Sequence, residues 1–251
     1  LYRSEKTNTK YHLFFYPEIR NFIKNQDERN KIEQELKSMD LDIYDNFGYF
    51  DNKRKIGENE NYLCELIRSD SIENFLSYIN RRNISITNAT VKTSIFETNP
   101  FLIQNEPTLI EYAAFYGSIQ IFQYLKINNV ELKPSLWLYT IHGQNAEMIH
   151  LLEENNVAPP YGSYLNCLDE SIKCHHNDFA YYFLNSYLVN EQINDYQCIL
   201  KSSNFQLIPL EISLNSIFFD LCCYNYTTLV NLYIKPKVDQ YQNMKIISKK
   251  N

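Results

Sequence analysis

The residue types most able to do chemistry are concentrated in one short segment, which contains Cys167, Cys174, His175 and His176. Thiolates and imidazoles are ligands that Zn²⁺ prefers in proteins. On a helix, however, Cys167 and Cys174 would be two turns apart, or about 10 Å, which is too far for one tetrahedral ion or a disulfide. The spacing therefore predicts a packed Cys174 and a turn at the two histidines, with no metal and no cofactor.

Other ionisable side chains offer no better reaction centre. His142 and His150 could exchange protons, but no nucleophile with an orienting acid is expected beside them. Glu153 and Glu154 come at the end of a predicted helix, where a negative charge is unfavourable, so we expect them in solvent or against a basic partner. The motifs of phosphate-binding loops, serine hydrolases and zinc proteases are absent from the sequence. The sequence therefore predicts that the chain is not an enzyme.

Composition narrows the class of partner and the compartment. The 251 residues carry a net charge of −6, which provides no electrostatic attraction to nucleic acid or anionic lipid. No apolar run is long enough to span a membrane. The six cysteines follow no disulfide-framework spacing, which indicates a reducing, intracellular location, in the cytoplasm or alternatively the nucleus. We therefore expect a protein partner, no nucleic acid and no membrane span.

Hydrophobic spacing predicts that helices fill the chain. Hydrophobic residues make up 44% of it, and its 5 Gly and 8 Pro are too few for a turn-rich β protein. Residues 11–40 read as two helices, with Pro17 at a helix start or kink and a second helix beginning near Asp27. The mixed-charge stretch 40–61 reads as a linker. We therefore predict an N-terminal helical segment and charged linker over residues 1–60.

An internal repeat organises the rest of the chain. Thr108–Leu125 has the pattern of two short helices joined by a tight turn at Gly117, and the same pattern recurs 27 residues later and again 32 residues beyond that. Weaker copies lie at 63–79 and 219–233. The polar segment 81–106 reads as an insertion that packs back as a short helix or an extended stretch. Residues 185–218 read as either an irregular helical pair or a second insertion.

The register of the copies can be checked without hydrophobicity. Each second helix is predicted to open with a side chain that can accept hydrogen bonds from the free amides of a new helix. These predicted structural caps are Ser71, Ser118, Asn145 and Asn177. The residue before each cap is predicted to make the turn in the left-handed region, and these residues are Asp70, Gly117, Gln144 and His176. The fifth copy has Tyr226 at the cap position and breaks the rule.

These motifs resemble a known class of repeat. The stretch T-L-I-E-Y-A-A-F-Y-G-S-I-Q-I-F-Q-Y-L at 108–125 resembles ankyrin-repeat proteins. The blocks 134–157 and 170–178 are similar to a domain of unknown function found beside ankyrin repeats in protist protein families. The specific resemblance covers about residues 60–185, and the 27-residue step is shorter than the 33 residues usual for ankyrin repeats. It implies a protein-interaction module and no activity.

The sequence thus predicts an all-α, ankyrin-like helix-turn-helix solenoid at 61–235 behind the N-terminal segment, with a polar tail at 236–251. Its expected function is non-catalytic protein binding, as a scaffold or adaptor, through a concave surface. The alternative is a regulatory or targeting region of a larger multidomain protein or enzyme. Some of Phe115, Tyr116 and Tyr139 are expected to face outward. The predicted partner-binding residues, on matched first-helix positions, are Glu111, Phe115, Leu138, His142 and Glu170.

Overall fold

The computed structural model describes residues 5–39, 47–189, 196–208 and 214–231. Across these ranges the chain is helical, with one isolated antiparallel bridge between Thr90 and Thr108 and no β-strand. The all-α prediction is therefore confirmed. The chain divides into two compact units, Leu1–Leu132 and Lys133–Asn251. The predicted polar tail lies outside the described residues.

The first unit begins with the N-terminal helical segment and continues into two helix pairs. Its helices are α1 (Glu5–Phe14), α2 (Tyr16–Ile19), α3 (Gln26–Ser38), α4 (Phe47–Ile56), α5 (Tyr62–Arg68), α6 (Ile72–Arg82), α7 (Pro100–Asn105), α8 (Leu109–Tyr116) and α9 (Ile119–Ile127). Helices α5 and α6 form one pair, and α8 and α9 form the next. Since α5 also packs on α8 and α6 on α9, the two copies are neighbours in space as well as in sequence.

The second unit repeats the alternation of first and second helices. Its helices are α10 (Leu136–Gly143), α11 (Ala146–Glu154), α12 (Leu165–Lys173), α13 (Asn177–Ser186), α14 (Gln197–Lys201) and α15 (Leu214–Cys223), with short 3-10 helices at Pro160–Gly162 and Phe205–Leu207. Helix α10 packs on α11 and on α12, and α12 packs in turn on α13 and α14. The first helices of successive copies are therefore adjacent in this unit too.

The N-terminal segment shares a core with the predicted insertion. Tyr16, Leu36 and Phe50 are buried together with Ile95 and Phe96, which belong to the 81–106 segment. That segment also forms the short helix α7, as predicted. The stretch 40–61 was predicted to be a linker, but α4 lies within it and supplies Phe50 to this core. The boundary predicted near residue 60 accordingly falls inside the first unit.

Left-handed residues mark the turns within the helix pairs. These residues, all with positive φ, are Asp70, Gly117, Gln144, His175, Ser203 and Asn225. At five of the turns the next residue donates its N–H to a carbonyl five residues earlier, as Ser71 does to Leu66 and Tyr226 does to Leu221. This is the Schellman closure of a helix C-terminus. The prediction is confirmed for the first three copies and is one residue late in the fourth, where the turn is at His175.

Three of the four predicted caps stand at an N-cap position, but only one of them forms the predicted hydrogen bond. Asn145 opens α11, and its side chain accepts a hydrogen bond from the Met148 amide. Ser71 and Ser118 stand at the N-cap positions of α6 and α9, but neither side chain caps its own helix. Asn177 is already inside α13, because the fourth turn comes one residue early and His176 takes the cap position. Of the four predicted capping bonds, only that of Asn145 forms.

The cap of α9 comes instead from the preceding helix pair. The two carboxylate oxygens of Asp70 each accept a hydrogen bond of 3.0 Å, from the amides of Gln120 and Ile121. In return, the Ser118 hydroxyl donates to the carbonyl of Ile67 at the end of α5. These bonds join one copy to the next, where a serine cap would have stabilised a single helix.

A related side-chain bond recurs in the second unit. Asn204 occupies the position after the turn that Ser118 occupies in the first unit, and it is buried in the same way. Its side-chain amide donates to the Ile172 carbonyl at 3.0 Å, near the end of the preceding first helix α12. Both carbonyls, those of Ile67 and Ile172, already accept a backbone amide within their own turn. Each of these polar side chains therefore adds a second hydrogen bond, which joins that carbonyl to the neighbouring copy.

Gly57 offers a test of how α4 is joined to the insertion. Its φ is +73°, and a Cβ there would lie 2.8 Å from Oγ1 of Thr98. The Gly57 carbonyl also accepts hydrogen bonds from the Thr98 amide and hydroxyl. We expect Gly57→Ala to lower the free energy of unfolding by about 1–2 kcal/mol from the left-handed conformation alone, with the Thr98 contact adding to the loss.

The measurement is urea unfolding followed by circular dichroism, with Gly162→Ala as the matched control. Gly162 has the same φ of +73°, but a Cβ there would meet no atom within 4 Å. The difference between the two variants isolates the crowding at Thr98. Equal losses would show that this contact relaxes without cost.

Candidate functional site

The predicted partner-binding residues are divided between the two units. Glu111 and Phe115 lie in the first unit, while Leu138, His142 and Glu170 lie in the second. Phe115 was expected among the outward-facing aromatics, but only 8% of its surface is exposed. Phe115 shares this burial with the rest of α8, since every residue from Leu109 to Phe115 is buried. Phe115 is therefore part of the core and not an exposed anchor.

Glu111 also has a structural role, at the start of α8. Its carboxylate accepts hydrogen bonds of 2.8 Å from both the amide and the hydroxyl of Thr108, and the Glu111 amide donates back to that hydroxyl. This reciprocal arrangement is the capping box, for which T-L-I-E has the required spacing. The side chain closes the first turn of α8 and is buried there. The prediction of a partner contact overlooked this local use of the same residue.

Of the three aromatic residues from which outward-facing side chains were expected, only Tyr116 is partly exposed. Tyr139 is buried in α10. Trp137, expected in the core, is fully buried, and its indole N–H donates to the Val157 carbonyl at 3.0 Å. The aromatic residues of the two best-matched copies thus contribute more to the core than to the surface.

In the second unit, two of the predicted residues do meet. His142 near the end of α10 and Glu170 on α12 are joined by a bond of 2.8 Å between Nε2 and Oε1. Both side chains are partly exposed, at 18% each. Leu138 lies one turn earlier on α10 and is half-buried. Side chains on successive first helices meet here because α10 and α12 pack directly on each other.

Cys174 completes this cluster. Its sulfur lies 3.4 Å from Nδ1 and 3.6 Å from Nε2 of His142. The metal site considered from the sequence placed Cys174 with Cys167 and the two following histidines. Instead, Cys167 is buried without forming part of the cluster, and the His175 ring bonds to the Ser202 carbonyl. Sequence spacing missed the combination because His142 comes from the preceding copy.

Electrostatics make Glu170 the fixed charge of the cluster. The hydrogen bond from His142 is the largest of the interactions that lower the pKa of Glu170 to about 2, and the Lys173 ammonium adds a second bond of 2.8 Å. With Glu170 ionised, Nε2 of His142 is the donor in their bond. Burial has the opposite effect on the neighbouring thiol and raises the pKa of Cys174 to about 12.

A thiol, an imidazole and a carboxylate in contact are also the components of a thiol hydrolase. Here the sulfur is almost equidistant from both ring nitrogens, which places it over the ring face and not along the lone pair of one nitrogen. A catalytic cysteine needs a lowered pKa, whereas burial raises the pKa of Cys174. The geometry fits a packed or metal-ligating thiol better than a nucleophile.

The second histidine considered for acid–base chemistry has a different partner. His150 Nδ1 lies 3.1 Å from Glu153, and its side chain is exposed. Glu153 was expected in solvent, but Oε1 also accepts hydrogen bonds from the hydroxyls of Tyr182 and Tyr187 on or beside α13. These bonds tie the end of α11 to the next copy. His142 and His150 consequently belong to separate networks.

A buried carboxylate in the first unit provides a pH test. Glu97 is 4% exposed, its Oε1 accepts the Asn99 amide at 2.8 Å, and its Oε2 has no hydrogen-bond partner among the described residues. Burial raises the pKa of Glu97 above its ordinary value of 4.5. The folded state therefore holds this proton more tightly than the unfolded state, so the stability linked to it is present at low pH and is lost as pH rises from 4.5 through the folded pKa.

We expect Glu97→Gln to remove this part of the pH dependence, since the amide is neutral throughout. The measurement is the free energy of unfolding in urea from pH 4 upward, taken as the difference between variant and wild type. The exposed Glu65, in the same unit, supplies the control Glu65→Gln. If the free energy of unfolding of Glu97→Gln, relative to wild type, changes with pH no more than that of Glu65→Gln does, Glu97 does not titrate differently in the folded and unfolded states.

Comparison with protein-family models, curated proteins and solved structures found no significant match to this chain. No helix within the described ranges is both long enough and apolar enough to cross a bilayer. The fold therefore defines an all-α protein in which helix pairs lie next to one another within each unit. The ankyrin likeness rests on the residues of the repeat itself.

Proposed function

We propose that this chain is a non-catalytic, ankyrin-like module that binds a protein partner through the surface that its first helices form within each unit. The observation that carries the proposal is the direct packing of successive first helices, α5 on α8 in one unit and α10 on α12 and α12 on α14 in the other. In ankyrin-like arrays such helices line the concave face. A row of adjacent helices presents side chains at regular intervals, which suits recognition of an extended surface.

The chemistry of this surface favours a protein over nucleic acid. The chain carries 30 acidic against 24 basic residues, so phosphate groups would be repelled overall. Of the packed helices α10 and α12, the first carries half-buried Leu138 and the second carries the charged pair of Glu170 and Lys173. An apolar side chain bordered by charges is typical of protein interfaces. The proposal includes an intracellular location, where free cysteines stay reduced.

Proximity capture with matched variants tests this proposal. Leu138→Lys places a charge on the first-helix surface, and Tyr181→Lys places the same charge on the second-helix surface, where Tyr181 is 48% exposed. Both variants must keep the circular dichroism spectrum and melting temperature of the wild type. A partner retained by Tyr181→Lys and lost by Leu138→Lys supports the proposed surface. A partner lost equally from both, or from neither, contradicts it.

The alternative function is a regulatory or targeting region of a larger enzyme. It uses the same surface, but the bound protein would be another part of the same polypeptide. The reading frame on both sides of this chain distinguishes the two. A catalytic domain in that frame which binds the isolated chain through Leu138 would favour the alternative.

A further inference from the structure

Three side chains with metal-binding donor atoms converge between α10 and α12. The nitrogen of His142, a carboxylate oxygen of Glu170 and the sulfur of Cys174 all lie within 4.8 Å of one another. Among the residues that the structure describes, no second group of three histidine, cysteine or acidic side chains is gathered this closely. The three residues are half-buried, so a small ion can reach them from solvent.

Two of the three spacings between donor atoms are close to those of a tetrahedral zinc site, and the sulfur and the carboxylate oxygen lie within 4.8 Å of each other. Zn–N bonds of about 2.0–2.1 Å and a Zn–S bond of about 2.3 Å separate neighbouring ligand atoms by roughly 3.3–3.6 Å. The sulfur already lies 3.4 and 3.6 Å from the two nitrogens of His142. The bond of 2.8 Å between His142 and Glu170 is shorter, because a proton occupies the space between them. Replacing that proton by an ion requires a separation of only about 0.5 Å more.

We propose that Cys174, His142 and Glu170 bind one Zn²⁺ ion, with water in the fourth position. A mixed sulfur, nitrogen and oxygen set favours zinc over Mg²⁺ or Ca²⁺, which prefer oxygen ligands alone. An open fourth position is a property of zinc sites with three protein ligands. This site is independent of the proposed protein-binding function and would exist in either reading of the chain.

Binding requires defined changes of proton and rotamer. The Cys174 thiol loses its proton to the buffer, because the thiolate is the ligand. The proton on Nε2 of His142 moves to Nδ1, so that Nε2 faces the ion, and one proton is released in total. The sulfur lies over the ring face, so rotation about the side-chain bonds of Cys174 or His142 must bring it beside the ion. Glu170 already carries its charge, and Lys173 keeps its bond to the second carboxylate oxygen.

A bound ion would link two neighbouring copies of the repeat. His142 belongs to α10, whereas Glu170 and Cys174 belong to α12 and the residue after it. An ion that binds the folded state alone raises the apparent stability by mass action, so zinc is expected to raise the melting temperature. Chelation is expected to reverse the shift.

Cobalt substitution in the full chain tests the site directly. The protein is freed of metal with a chelator under reducing conditions and is then titrated with Co²⁺. We expect one equivalent to produce thiolate-to-cobalt charge-transfer absorption and the strong visible bands of tetrahedral cobalt, both of which Zn²⁺ then abolishes. Calorimetry with Zn²⁺ in buffers of different ionisation enthalpy should show release of one proton. Absence of the charge-transfer band at one equivalent overturns the proposal without recourse to any variant.

Matched variants distinguish zinc binding at this site from adventitious metal binding elsewhere on the protein. Cys174→Ser should abolish the charge-transfer band, and His142→Gln should weaken Zn²⁺ binding at least about tenfold. The controls are Cys198→Ser, a half-buried thiol in the same unit, and His150→Gln, an exposed histidine on α11. Both controls should bind as the wild type does. Binding that survives Cys174→Ser, or that falls equally in His150→Gln, identifies an adventitious ion only. Circular dichroism confirms the fold of each variant, and Cys174→Ala replaces Cys174→Ser if the latter unfolds.

Discussion

Replacing Trp137 with alanine is expected to lower the free energy of unfolding by about 3–5 kcal/mol, the range for large aromatic side chains in a packed core. Trp137 is fully buried in α10. Its ring packs edge-on against Tyr164 and Phe183, with centroids 5.3 and 6.0 Å away. Alanine removes these contacts and leaves a cavity that the surrounding helices close only in part. Urea unfolding followed by far-ultraviolet circular dichroism measures the loss.

Two further variants divide this loss into parts. Trp137→Phe keeps most of the aromatic volume but leaves the Val157 carbonyl without its indole donor, which should cost about 1–3 kcal/mol. Tyr161→Ala removes a ring that is 95% exposed and should change the stability by less than about 0.5 kcal/mol. A Trp137→Ala variant as stable as Tyr161→Ala would mean that the second unit does not pack around this side chain.

Asp70→Ala is expected to lower the free energy of unfolding by about 2–4 kcal/mol. The variant loses two hydrogen bonds that backbone amides donate to a carboxylate, each worth about 1.5–3 kcal/mol and not fully additive. The amides of Gln120 and Ile121 lose their only side-chain cap, since Ser118 does not supply one. Alanine is also less suited than aspartate to the left-handed φ of 46°. The same urea titration measures the effect.

The control variants locate the effect at the carboxylate. Asp70→Asn tolerates the left-handed conformation and retains one acceptor oxygen, so it should lose less than Asp70→Ala. Ser71→Ala, at the neighbouring residue, should be close to neutral, because its hydroxyl accepts only an exposed bond from the Asn74 side chain and caps no backbone amide of α6. If Asp70→Ala costs as little as Ser71→Ala, the first-turn amides of α9 do not depend on Asp70.

The internal pattern of the sequence was a reliable guide to the core. The aligned residues Phe122 and Ile149 are buried, as are Leu125 and Leu152 in the next matched pair. Helical periodicity of apolar residues is a local property, because residues three and four apart share one face. The left-handed turns at Asp70, Gly117 and Gln144 were predictable for the same reason, since each closes the helix just before it.

Capping bonds were less predictable, because a small polar side chain has several partners within reach. Asn145 bonds within its own helix, whereas Ser118 turns to a carbonyl of the preceding copy. The sequence contains both residues at equivalent positions and gives no sign of the difference. The choice depends on which carbonyls of the neighbouring helix come within reach of the side chain, and that is a property of the assembled pairs.

The sequence by itself determined the all-α class, the repeated helix pairs and the residues that fill their interior, because these follow from spacing along one chain. Only the tertiary structure decided which polar side chains meet. It removed Phe115 from the surface and joined His142 to Glu170 and Cys174 across two helices. Such contacts depend on how one helix is rotated and shifted against the next, and no pattern within either helix specifies that geometry.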